Sequence, residues 1–320
     1  MTTHSLRRQA LAPLVGLFGL FVTFGVFGTP PLTATEQNEK TIFLSAVDKD
    51  GKSVRDLTTP DVLIREDGQD REVVSVKIST QPLALVILAD TTKQAGGGAM
   101  MGGALGAEQT NSTASAELIR DIRVSLGTFV KDIAAGSPES KMELMEFGQA
   151  AITVTPMTSN VADLAKGVSR LFPKPGAASV LLEAIIEASK SLEKATTPRR
   201  AIIALNIEPG DEQSRQNVKQ LNDSLYKSRA NLWAVSLQVG TNKNQMRGLV
   251  LEALTKNTGG RREFIQSQSA LELMMKNFAD NLLNQYEVTY RRPAGVQAKA
   301  VQVGVMRQGL GLHASIFAPQ

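Results

Sequence analysis

Apolar and polar positions alternate in two rhythms along the chain, and the change falls near Pro82. Before it, "KTIFLSAV" sets Ile42, Leu44 and Ala46 against polar neighbours, the two-residue period of a strand with one buried face. "DKDGKS" then reads as a turn. "DVLIR" and "REVVSVKI" read as further strands on either side of "EDGQD", where Asp67-Gly68 offers the positive backbone dihedral that a tight hairpin requires. Residues 36–80 are therefore expected to form a small β segment.

After Pro82 short continuous apolar runs take over: "LALVILAD", "KMELMEFG", "AAITVT", "RAIIALN" and "NLWAVSLQV". Strands covered on both faces have this composition, and Trp233 within the last of them is expected in the core. Between the runs, Leu118, Ile122, Leu126, Phe129 and Ile133 recur at helical spacing, as do Leu181, Ala184, Ile185, Ala188 and Leu192. The alternation predicts an α/β fold with a doubly wound, mostly parallel sheet over residues 81–266. The tail opens with a helix carrying Leu271, Met274, Met275, Phe278 and Leu282 on one face, followed by the strands "YEVTYRR", "KAVQVGVMR" and "LHASIF". Three strands in succession do not extend a parallel sheet without long crossovers. Residues 267–320, helix and strands together, are thus expected to pack with the N-terminal β segment and complete a second, smaller β-sandwich domain. Residues 36–80 alone hold too few strands for independent stability.

Composition narrows the chemistry. Cysteine is absent, which removes disulfides, thiolate nucleophiles and iron–sulfur clusters. The histidines are His4 and His313 alone, too few for a zinc site built on several imidazoles. With 35 basic and 31 acidic residues the net charge is +4, and no basic run interleaves with aromatics, so no nucleic-acid partner is expected. Arg7 and Arg8 precede the apolar "LAPLVGLFGLFVTFGVFG" at 11–28 and the small, polar "TPPLTATEQ". Residues 1–35 are expected to be a signal peptide cleaved near Ala34 or Thr35, directing the protein to the periplasm or the exterior. An apolar length of about 18 residues also suits an uncleaved membrane anchor. "GKS" at 51–53 is no phosphate loop, because Ala46 stands where that motif needs glycine, and no bidentate glutamate closes "DKDGKS" into a calcium loop.

Asp90 ends the first strand of the predicted sheet, and ligands of open α/β sheets gather beyond the carboxyl ends of the strands, where the strand order reverses. "LALVILADTTKQ", preceded by "FLSAVDKDGKSVRDLTTPDVLIREDGQDREVVSVKI", resembles the von Willebrand factor type A (VWFA) proteins, in a bacterial version with a β segment ahead of the domain. The resemblance extends over nearly the whole mature chain and closes on "LLNQYEVTYRRPAGVQAKAVQVGVMRQGLGLHASIFAP". It implies adhesion or assembly rather than catalysis. In that family an aspartate–x–serine–x–serine motif, a threonine from a second loop and an aspartate from a third hold one magnesium ion. Its open position takes an acidic group from a protein partner.

Under that resemblance Asp90 matches the first aspartate, Thr92 stands at the first serine and Gln94 at the second. "GAASVLLEAI" places Ser179 at the threonine and Glu183 at its acidic follower, whereas "RAIIALNIEPGDEQS" puts Ile207 where the third-loop aspartate belongs. Isoleucine offers no ligand, and Glu208 beside it is the nearest substitute. Lys93 adds a cation where an ion would be repelled, unless its side chain points to solvent. The expectation is a degenerate metal-ion-dependent adhesion site whose ligand-binding residues are Asp90, Thr92, Lys93, Gln94, Ser179 and Glu208, with no cofactor. Were magnesium to bind, Asp90, Thr92 and Ser179 would hold it. Asp90, Thr92 and Ser179 also fit a plainer role as caps of loops and helices. The glycine-rich stretch at 95–107 reads as a surface insertion, or as a lip over the ligand face carrying Met100 and Met101. The expected function is protein–protein contact or adhesion at the cell envelope. The alternatives are an envelope enzyme using Asp90 and Glu208 as a carboxylate pair, and a structural envelope component without a ligand.

Overall fold

β1 (Gln37–Val47) keeps the expected alternation, with Ile42, Leu44 and Ala46 buried. The computed structural model describes residues 37–92, 107–174, 179–208, 212–215, 217–239 and 244–319. β2 (Val62–Glu66) and β3 (Gln69–Arg71) form the expected hairpin, and its turn places Asp67 at φ 47° and Gly68 at φ 82°. The second arm is shorter than its sequence suggests. It breaks at Glu72, and β4 (Val73–Ile78) leaves β2 to join the opposite sheet, because a two-sheet sandwich needs strands that change sheet.

β5 (Leu83–Asp90) is buried at every position, lying inside a six-stranded sheet with helices on both faces. The sheet continues with β6 (Lys141–Phe147), β7 (Ala151–Thr158), β8 (Arg199–Glu208), β9 (Asn231–Gln238) and β10 (Arg262–Ile265), in the order β10-β9-β8-β5-β6-β7. Every pairing is parallel except that of β6 with the edge strand β7. Alternate residues of β5 feed two cores. Leu83, Leu85 and Ile87 meet α1 (Ala107–Gly136), α2 (Val161–Ser169) and α6 (Leu271–Leu283). Ala84, Val86 and Leu88 meet α3 (Leu181–Glu193), α4 (Val218–Ser228) and α5 (Gln245–Thr258).

The tail strands close the sandwich. β1 pairs antiparallel with β11 (Tyr286–Pro293), setting Leu44 opposite Tyr286, and on its other edge with β13 (Gly311–Ala314). With β4 beside β11 this gives the sheet β13-β1-β11-β4, which faces a second sheet, β12 (Val301–Val305) beside β2 and β3. Ile42, Leu44, Val62, Ile64, Val288 and Tyr290 fill the space between them. The helix at 271–283 departs from expectation. Its apolar stripe belongs to the parallel sheet's core, where Phe278 lies 5.2 Å from Trp233, rather than to the sandwich. Its last turn also reaches the N-terminal β segment: Ser45 Oγ donates to the Asn281 carbonyl at 3.4 Å, Asn281 Nδ2 donates to the Gly51 carbonyl at 3.2 Å, and Arg55 Nη2 pairs with Asp280 Oδ1 at 2.6 Å. Among the described residues no helix is long and apolar enough to cross a membrane, and the apolar tract at 11–28 lies outside them.

Candidate functional site

β5 pairs with β6 on one side and β8 on the other, so the strand order reverses at β5, the place where open α/β sheets bind ligands beyond the carboxyl ends of their strands. Asp90 is the last residue of β5 and is fully buried. Its Oδ1 accepts from the Thr92 N–H at 2.9 Å and the Thr92 hydroxyl at 2.6 Å, which closes the first loop on itself. Its Oδ2 accepts from the Ile207 N–H at 2.9 Å and so ties β5 to β8 across the reversal point. Burial pushes the Asp90 carboxyl above its ordinary value; the hydrogen bonds from Thr92 and Ile207 and the charge of Arg247 oppose that shift without cancelling it.

Ser179, Glu208 and Ile207 are gathered by a residue that the sequence did not single out. Arg247, in the first turn of α5, has a side chain with no exposed surface. Its Nε donates to Glu208 Oε1 at 3.2 Å, its Nη2 to the Ile207 carbonyl at 2.7 Å, and its Nη1 to Ser179 Oγ at 2.9 Å. Nη2 also stands 3.0 Å from Glu208 Oε2, and Nη1 3.6 Å from Glu212 Oε2. Glu208 further accepts from Asn206 Nδ2 at 3.1 Å and the Asn244 N–H at 3.3 Å. Glu183 accepts from the Arg215 N–H at 2.8 Å and thereby holds the loop that carries Glu212.

Four expected residues, Asp90, Thr92, Ser179 and Glu208, thus converge, all buried. Lys93, Gln94, Met100 and Met101 lie outside the described residues. The sequence did hold a signal for Arg247. It falls on the stripe Arg247, Val250, Leu251, Leu254, the inward face of α5, and a charge on such a stripe requires buried partners.

The donor set does not fit a divalent ion while that guanidinium stands in it. Both Asp90 oxygens are taken, the Ser179 hydroxyl accepts from Arg247, and the arginine's charge would repel a second cation. Among the described residues no group of three or more histidine, aspartate or glutamate side chains is placed to hold a metal. Nor do Asp90 and Glu208 stand ready as an acid–base pair, since both are spent on internal bonds and neither reaches solvent.

No protein-family model and no curated protein matches the chain. Solved structures are similar to it in fold. Proximal thread matrix protein 1 from the mussel byssus is 14% identical, over 65% of this chain and 49% of that one, with a TM-score of 0.47. The chain therefore spans about half the length of the mussel protein, another structure of which has a zinc-occupied adhesion motif. A von Willebrand factor type A protein from Catenulispora acidiphila is 10% identical over 87% of this chain and 74% of its own, with a TM-score of 0.47. The von Willebrand factor domain of the type V pili tip protein Mfa5 from Porphyromonas gingivalis is 10% identical over 63% and 95%, with a TM-score of 0.45. The helix-flanked sheet has its first strand central and one antiparallel edge strand.

Proposed function

We propose that this is an exported, non-enzymatic VWFA-like protein. It makes protein–protein or adhesive contacts at the cell envelope through the carboxyl-end crest of its sheet, without a bound metal. One observation carries this reading: Asp90, Ser179, Glu208 and Arg247 are each at most 1% exposed, with Arg247 bonded to Ser179, Glu208 and the Ile207 carbonyl and Asp90 bonded to Thr92 and the Ile207 N–H, so the crest offers a fixed surface rather than a reactive group. On its rim α5 presents Met246 and Leu249, 70% and 69% exposed, beside the buried Arg247. Large apolar side chains on a rigid polar floor are what a docking partner covers. In this reading Lys93 and Gln94 touch the partner, while Asp90, Thr92, Ser179 and Glu208 hold the loops in shape. Residues 81–266 dock, and the sandwich of N- and C-terminal strands flanks them. Arg7, Arg8 and the tract at 11–28 support export, with anchoring by that tract as its variant.

Crosslinking in envelope extract tests the proposal. Met246→Glu and Leu249→Glu should abolish a crosslink made by the unaltered chain while leaving its melting temperature in place. Leu63→Glu, on the exposed face of β2, should keep it. A crosslink that survives both crest changes would refute docking at this edge.

A further inference from the structure

A cation in the first turn of a helix is set against the helix dipole, whose amino end is positive. Arg247 stands there nonetheless, three residues after the Asn244 cap, whose side chain accepts its backbone N–H at 3.0 Å. Burying the guanidinium as well makes the placement costly unless carboxylates compensate it. Glu208 does so through both oxygens, Glu212 stands 3.6 Å away, and the field of Arg247 reaches Asp90. Among the described residues Glu212 Oε2 has no hydrogen-bond partner, and it stands 3.6 Å from Arg247 Nη1. The groups converging on the guanidinium come from the end of β8, the loop before α3 and the loop before α4.

We infer that the Arg247 guanidinium is the permanent cation of this crest: it takes the place a divalent ion would need among Asp90, Ser179 and Glu208, and it locks the surrounding loops without any metal. Two consequences follow from the geometry. A divalent ion keeps an exchangeable position that an incoming carboxylate can fill, whereas the donors of Arg247 are turned to protein acceptors and none reaches solvent. A partner's acidic group therefore finds no central cation here, and association should be indifferent to chelators. Removing the guanidinium would also leave Glu208, Glu212 and Asp90 beside the Ser179 hydroxyl as hard oxygen donors, with the nearest remaining cation, Arg262, 4.0 Å from Glu208 Oε1 at the edge of the cluster: a latent divalent site. The inference concerns what holds the loops and does not depend on the docking reading, so either can fail alone.

Melting curves with and without millimolar MnCl2 test it on the full chain. The wild type should be unmoved by Mn2+. Arg247→Ala should melt about 10 °C lower, as expected for carboxylates left buried without their partner in a chain of this size. Mn2+ or ethylguanidinium should restore about half of that loss or more. Arg292→Ala, which empties a comparable buried arginine site beside the single carboxylate Glu66, should gain nothing from Mn2+. Should Arg247→Ala not fold, electron paramagnetic resonance of Mn2+ with the wild type decides alone. A tightly held ion in the wild type overturns the inference, and so does an Arg247→Ala protein as stable as the wild type.

Discussion

Two buried ion clusters sit in different parts of this molecule and are built from the same chemistry. In the sandwich, Glu66 of β2 accepts from Arg292 Nε at 3.0 and 2.9 Å, from Arg71 Nε at 3.0 Å and from the Tyr290 hydroxyl. At the crest, Glu208 and Glu212 share Arg247. The first cluster has one carboxylate with an excess of donors and fastens one sheet to the other. The second gathers two carboxylates on one fully buried guanidinium, with Arg262 4.0 Å from Glu208 at its edge, and fastens segments at the strand ends. Burial pushes the Glu66 carboxyl up, but hydrogen bonds from Arg292, Tyr290 and Arg71 outweigh it and hold the group below its ordinary value. Asp90 is shifted the other way. A buried ion pair in itself therefore says little about role; its place in the fold and its charge balance say more.

The largest expected effect breaks both clusters alike. Arg247→Ala and Arg292→Ala should each cost about 3–5 kcal/mol in denaturant unfolding, because each takes from a buried carboxylate the guanidinium that meets both its oxygens. A loss under about 1 kcal/mol for either would mean that water or a neighbouring side chain replaces the guanidinium. Tyr290→Phe should cost about 1.5–3 kcal/mol, the range for a hydrogen bond to a charged group, without disturbing the crest.

Acid titration sharpens the contrast by sign. With its pKa depressed on folding, Glu66 contributes stability that is present above about pH 4.3 and is lost as pH falls through the lower folded value. Asp90, with its pKa raised, contributes stability that is full below about pH 3.9 and is lost as pH rises through the higher folded value. On going from neutral to acid, the wild type should therefore gain on Asp90→Asn and lose ground to Glu66→Gln. Melting temperatures that move in parallel for the two variants would contradict the opposite shifts. The smallest effect belongs to His313, which burial and then Arg261 hold below the ordinary imidazole value. Its neutral form is favoured in the fold, so stability should decline as pH falls below about 6.5, and His313→Gln should flatten that limb of the melting profile.

Much of the architecture was legible because the two rhythms are strong. Continuous apolar runs such as Leu83–Ala89 have no other home than a doubly covered sheet, and the alternation at Ile42, Leu44 and Ala46 marks a one-sided strand. β10 escaped notice, since four residues of mixed polarity carry no period. The break at Glu72 and the true partners of the 271–283 helix depend on which sheet or core lies nearest, which local pattern does not encode. At the site, Asp90 could be found because a strand end is a position a sequence displays, whereas Ser179 and Glu208 were reached through the resemblance to the VWFA loops. Arg247 comes from a distant helix and is defined only by what folds against it, although its place on the apolar stripe with Leu251 and Leu254 hinted at burial.

Calorimetric titration of the wild-type chain with MgCl2, repeated on Asp90→Ala, tests the central claim most directly. The account predicts no binding heat from either protein. A saturable one-to-one heat from the wild type that Asp90→Ala lacks would contradict it, because it would put an ion where Arg247 is held to stand.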